Sequence, residues 1–189
     1  MKGMAIRDSN YWKGLITGVV CVLIGFGLTV VWDQYKWNRD IKERERAVLK
    51  AIGEDIEENV ILLRQNETLL SAELNFLAQE KSTVFPFRVL KEGFWDLAKV
   101  NLPRSLAENP QGIQRLRDVS QFTSRYNEVL RARENWHVNN QPMENYGRRL
   151  EYYDKELLRL QGLLQEKNAA LLKLLEPEAH APNPSQSNP

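Results

Sequence analysis

The chain has 189 residues, 26 of them basic and 25 acidic, for a net charge of +1 at pH 7, with one cysteine and two histidines. Charges so nearly balanced give no electrostatic case for nucleic acid. One cysteine forms no intrachain disulfide, which fits the cytoplasm and does not exclude a periplasm.

Residues 1–13 form a short polar tail. Gly14 to Trp32 then carry no charge, between Lys13 and Asp33. At about 1.5 Å per residue this run makes a helix of roughly 28 Å, close to the hydrocarbon thickness of a bilayer. Tyr11 and Trp12 precede it and Trp32, Tyr35 and Trp37 follow it, as expected of rings that settle at the two headgroup levels. The run exceeds the ~7–15 apolar residues of a secretory signal, and no small-residue cleavage site follows it. It is expected to be an uncleaved transmembrane helix. Gly14, Gly18, Cys21 and Gly25 lie along one face, a pattern that lets membrane helices pack closely. Cys21 reads as a small buried hydrophobe, not a reactive thiol. Lys2, Arg7 and Lys13 stand before the run, and Lys36, Arg39, Lys42, Arg44 and Arg46 just after it. This excess favours a cytoplasmic C-terminal domain on a single-pass protein of the cell (inner) membrane.

Residues 33–176 are long enough for one domain with a modest core. From Asp33 to Glu80 there is no proline and one glycine, and Leu49, Ile56, Leu63, Leu70 and Leu77 recur every seven residues. This predicts an amphipathic helix running on from the membrane segment, with Leu49 to Leu77 as a coiled-coil seam. Asn59 and Asn66 occupy the companion heptad position and are expected at the stripe's edge, in contact with water. Val84 to Phe87, with Pro86, reads as a turn. A short helix is expected over Val89–Val100, with Leu90, Phe94, Leu97 and Ala98 on one face and Trp95 beside it. Asn101 to Pro110 reads as a loop or single turn.

A third helix is expected over Gln111–Trp136, with Ile113, Leu116, Val119, Phe122, Tyr126, Val129 and Leu130 as its apolar face. Asn139 to Pro142 is a turn. The last helix is expected over Met143–Leu175, where Leu150, Leu157, Leu164 and Leu171 repeat every seven residues as a second seam. Tyr146, Tyr153, Leu160 and Leu174 supply most of the companion column, with Lys167 as an exception. Residues 177–189 hold four prolines and no large aliphatic side chain, and should form a disordered tail. The expected fold class is all-α: an N-terminal transmembrane helix continuing into an elongated antiparallel helical bundle with coiled-coil character.

The two histidines, His137 and His180, are far apart, and no cysteine–histidine cluster has metal-ligand spacing. No phosphate-binding glycine loop, zinc-protease helix or nucleophile elbow is present. Glu54–Asp55 and Glu57–Glu58 read as a solvated helix face, and Asn66-Glu67-Thr68 as a chance glycosylation pattern. No catalytic, cofactor or metal site is expected, and the chain is not expected to be an enzyme. Trp95, Trp136, Tyr146, Tyr152 and Tyr153 could line a ligand pocket between helices.

A glycine-containing N-terminal span, a tryptophan-bearing junction (Gly18 to Trp37) and a charged helix start (Asn38 to Arg46) come together here. With Phe94-Trp95-Asp96-Leu97 and the Leu/Tyr helices that follow, the chain resembles a group of uncharacterised bacterial single-span membrane proteins with a helical, coiled-coil-like soluble domain. The resemblance implies architecture and supplies no site. The expected role is a membrane-anchored scaffold or protein-interaction module. Its partners would be the lipid bilayer and either another copy of the chain or another membrane-associated protein, with no nucleic acid. The alternative is a sensory input module that binds a small ligand between helices and signals through a partner.

Overall fold

The computed structural model describes residues 5–79, 81, 85–140 and 145–179. Among them there is no strand, in line with the all-helical class. The helices are α1 (Ala5–Ala78), α2 (Gly93–Val100), α3 (Arg104–Ala107), α4 (Pro110–Asn140) and α5 (Tyr146–Ala179). The chain divides into two compact units after Arg44.

In the first unit, α1 is the one described helix long and apolar enough to cross a membrane, and none of its apolar window is buried among the described residues. Val22 is 71% exposed and Phe26 69%. The two hydroxyls in this stretch are satisfied within the helix. Thr17 Oγ1 donates to the Lys13 carbonyl and Thr29 Oγ1 to the Gly25 carbonyl, both at 2.9 Å, so neither needs water. Cys21, expected to be buried, is exposed among the described residues.

The second unit is built on the rest of α1 with α2 to α5. Asp118 of α4 meets Lys167 of α5, and Arg133 meets Asp154, so α4 and α5 run antiparallel. Gln161 and Gln165 of α5 both reach Glu67 of α1, while Gly147, the second residue of α5, lies under Leu77 near the end of α1. α5 is therefore antiparallel to α1 as well. Two apolar clusters fill the core. One joins Leu49, Ile52 and Ile56 to Phe94, Ala98, Leu106, Leu116, Val119, Leu171 and Leu175. The other joins Leu63 and Leu70 to Phe87, Leu90, Tyr126, Val129, Leu130, Leu157, Leu160 and Leu164. At roughly 1.5–3 kcal/mol per fully buried large apolar side chain, these clusters supply the main cohesion of the unit.

Local signals explain the ends of α4. Asn109 caps it, its Oδ1 accepting the Gly112 N–H at 3.1 Å, and Pro110 takes the first helical position, where no N–H is needed. A Cβ at Gly112 would lie 3.1 Å from the Leu106 side chain and 3.4 Å from that of Leu174, so a glycine lets α3 and α5 close on α4 there. α4 runs through Asn140, four residues beyond its expected end. α5 continues through Pro177 to Ala179; a proline this close to a helix end removes one hydrogen bond without forcing a break. The turn residues 141–144 and the tail from 180 lie outside the described residues, as do residues 82–84.

The largest departure is in the middle of the chain. The helix expected from Val89 begins only at Gly93, and residues 85–92 are not helical. The reason lies in where their backbone groups bond.

Candidate functional site

Three buried asparagines hold residues 85–92, and each does so with both ends of its amide. Asn59 Nδ2 donates to the Lys91 carbonyl at 2.9 Å while its Oδ1 accepts the Lys91 N–H at 2.7 Å. Asn66 does the same with Arg88, at 2.8 and 2.9 Å. Asn127 of α4 does so with Leu90, at 2.9 Å for both bonds. A seventh bond runs from the Phe85 N–H to Glu73 Oε2 at 3.1 Å. These side chains take the place of a neighbouring strand for a segment that has none.

The spacing is dictated by geometry. Asn59, Asn66 and Glu73 are seven residues apart on α1, about 10.5 Å of helix per step. Their partners Lys91, Arg88 and Phe85 are three residues apart, and three extended residues cover about 10–11 Å. One heptad of helix therefore matches three residues of a nearly extended strap running antiparallel to it. Phe87 and Leu90 point into the core, while Arg88, Val89 and Lys91 are exposed. Lys91 Nζ also spans Asp55 at 3.1 Å and Glu58 at 2.6 Å, so part of the acidic face of α1 grips the strap. Its hydrogen bonds to Glu58 and then Asp55 hold its pKa above the usual lysine value.

Asn59 and Asn66 are thus not at a wetted stripe edge. They are 1% and 0% exposed, because the strap covers them and satisfies their amides. Asn66 Nδ2 also lies 3.1 Å from the Tyr126 hydroxyl. Burial pushes Tyr126 up to about 12 against the opposing effect of that hydrogen bond.

At the far end of the strap the core holds charge. Arg133 of α4, Glu73 of α1 and Asp154 of α5 are each at most 1% exposed. Arg133 Nε donates to Asp154 Oδ1 at 2.7 Å, and its Nη2 donates to Glu73 Oε1. The Phe87 ring lies over the guanidinium, 4.3 Å from Cζ, so the strap closes this cluster. Glu73 has two donors, Arg133 and the Phe85 N–H. Asp154 has one, and its Oδ2 is buried with no hydrogen-bond partner. Burial, with the Glu73 carboxylate adding to it, pushes Asp154 up to about 7 despite the opposing pull of Arg133.

The residues singled out from the sequence are dispersed differently. Leu49, Ile56, Leu63, Leu70, Leu150, Leu157, Leu164 and Leu171 are buried, and Leu77 is half-buried. The second buried column of α5 departs from expectation. Tyr146 and Leu160 are buried, but Tyr153, Lys167 and Leu174 are half-buried, and Asp154, Gln161, Asn168 and Leu175 sit inside instead. Trp12, Trp32, Tyr35 and Trp37 are exposed, and the side chain of Tyr11 is outside the described residues. A Cβ at Gly14, Gly18 or Gly25 would meet nothing within 4 Å. The five aromatics considered for a ligand pocket are only partly gathered: the Tyr152 and Tyr153 rings lie 5.8 Å apart, and Trp136 is half-buried. Trp95 packs on the Leu49 cluster, Tyr153 on the Leu63 cluster, Tyr146 lies against His137 and Tyr152 is exposed. Asn66, within the glycosylation pattern, is buried and bonded to the strap.

Sequence reasoning passed over Glu73, Asn127, Arg133 and Asp154. One signal was available: Asn59, Asn66 and Glu73 share a heptad column, as do Asp154, Gln161 and Asn168. No protein family matches the chain, and no curated protein or solved structure is similar to it.

Proposed function

We propose that this chain is a membrane-anchored helical scaffold or protein-interaction module without catalytic activity. The observation that carries the proposal is the apolar stretch of α1. None of it is buried among the described residues, it is flanked by exposed Trp12, Trp32 and Trp37, and its threonine hydroxyls bond within the helix. An uncovered apolar surface of this length is costly in water and favourable in lipid. Gly14–Trp32 spans the inner membrane once, and residues 33–176 form an antiparallel bundle with coiled-coil character whose outer faces meet another copy or another membrane-associated protein. The excess of Lys and Arg just after the span favours a cytoplasmic bundle.

Co-purification of the full chain in mild detergent tests the role. The expected result is a second copy or a second membrane protein in stoichiometric amount. Recovery as a lone monomer carrying a bound small molecule would replace this reading with that of a sensory input module. A reporter fused to the C-terminus tests the side: activity expected of the cytoplasm supports the stated orientation, and a periplasmic signal removes it.

A further inference from the structure

One cation and two carboxylates meet in the core, each at most 1% exposed. With both acids ionised the cluster carries a net negative charge, and an uncompensated buried charge is among the most destabilising features a core can hold. One proton removes it. The geometry says where the proton goes. Both oxygens of Glu73 accept hydrogen bonds, one from Arg133 and one from the Phe85 N–H. Asp154 accepts through Oδ1 alone, and its buried Oδ2 is bare. A proton on Oδ2 neutralises Asp154 and leaves every hydrogen bond of the cluster in place.

The same cluster holds the start of the strap, through the Phe85 N–H on Glu73 and the Phe87 ring on Arg133. α1, α4 and α5 keep their own backbone ladders whatever happens at the cluster. The four backbone N–H groups of the strap described above, at Phe85, Arg88, Leu90 and Lys91, bond to side chains of other elements. It is therefore the element whose separation breaks the least secondary structure.

We propose that Arg133, Glu73 and Asp154 form a proton-binding latch: the protonated cluster holds the strap of residues 85–92 closed, and loss of the proton loosens it. The charged and titratable groups facing Asp154 are Arg133 and Tyr126 of α4 and Glu73 of α1; the strap reaches the cluster through the Phe85 N–H on Glu73 and the Phe87 ring on Arg133. Deprotonation releases H⁺ to water and leaves two carboxylates on one guanidinium. Opening the strap lets water reach them. Asp154 is raised in the closed state from the ordinary carboxylate range to about 7. Its contribution is therefore fully present at acid pH and is lost as pH rises through about 7. The window for the latch runs from about pH 4 to about pH 7, with a plateau above.

Hydrogen exchange of the full chain in detergent micelles, corrected for the intrinsic pH dependence of exchange, reads the latch directly. Protection at Arg88, Leu90 and Lys91 should fall about tenfold between pH 6 and pH 8, while protection at Leu130 in α4 does not. Asp154→Asn keeps the Oδ1 acceptor and removes the titration, so its strap protection should be the same at both pH values. Unchanged protection in the unsubstituted chain, the same fall in Asp154→Asn, or an equal fall at Leu130 would each overturn the proposal. Should Asp154→Asn fail to fold, infrared difference spectra of the unsubstituted chain decide. A protonated-carboxyl band lost between pH 6 and pH 8 supports the latch, and its absence at pH 6 overturns it.

Discussion

The two units of this chain place polarity in opposite ways. The stretch of α1 from Trp12 to Trp37 turns Val, Leu, Ile and Phe outward, while the second unit buries Asn59, Asn66, Glu73, Asn127, Arg133 and Asp154. Each arrangement is unfavourable in the wrong surroundings. The apolar surface needs an apolar medium, and the buried polar groups need partners of matching geometry. In the second unit those partners are the strap's backbone and one another. The contrast teaches that hydropathy alone locates the apolar stretch but not the core of this protein. The core is specified by a heptad column that is polar because it reads a peptide backbone.

The sharpest way to break the contrast is to remove the cation. Arg133→Met leaves two buried carboxylates without a cation, and should destabilise the second unit by about 3–5 kcal/mol. Chemical unfolding of the full chain in micelles, followed by tryptophan fluorescence, measures this. A smaller and complementary break lies in the first unit. Phe26→Asp places a charge near the middle of the apolar stretch, at a cost of roughly 2.5–3.5 kcal/mol to insertion. It should reduce the membrane-bound fraction while leaving the unfolding midpoint of the second unit unchanged. Asn66→Ala removes two bonds to the strap and should cost about 1–3 kcal/mol, because the Arg88 N–H and carbonyl lose their buried partner. Faster exchange at Arg88, with α5 amides unaffected, would confirm that the loss is local. Smallest of all is Lys91→Ala. Its ion pairs with Asp55 and Glu58 are largely solvated, and no measurable change in stability is expected. A large loss there would show that strap docking depends on surface charge and not on the asparagine amides.

The leucine columns were legible in the sequence because an apolar residue every seven positions has one physical explanation in a helix. The strap was not legible, and Leu90 shows why. Its spacing to Phe94 and Ala98 fits a helix face, yet its N–H and carbonyl are taken by Asn127, 37 residues later. Pairing across that distance leaves no local trace beyond Pro86, which itself bars a helix through that position. Asn59 and Asn66 were visible as heptad polar residues, but whether they were wetted or buried depended on what lay over them. Glu73, Arg133 and Asp154 look in sequence like ordinary members of charged helices. Only the packing of three helices brings them together.

The claim on which the function rests is that Gly14–Trp32 stays in the bilayer as an intact anchor. Alkaline extraction of membranes from cells expressing the full chain, with the mass of the recovered protein determined, tests it most directly. The account predicts that the protein remains in the membrane pellet at full length. Release into the supernatant, or recovery without its first 32 residues, would contradict it.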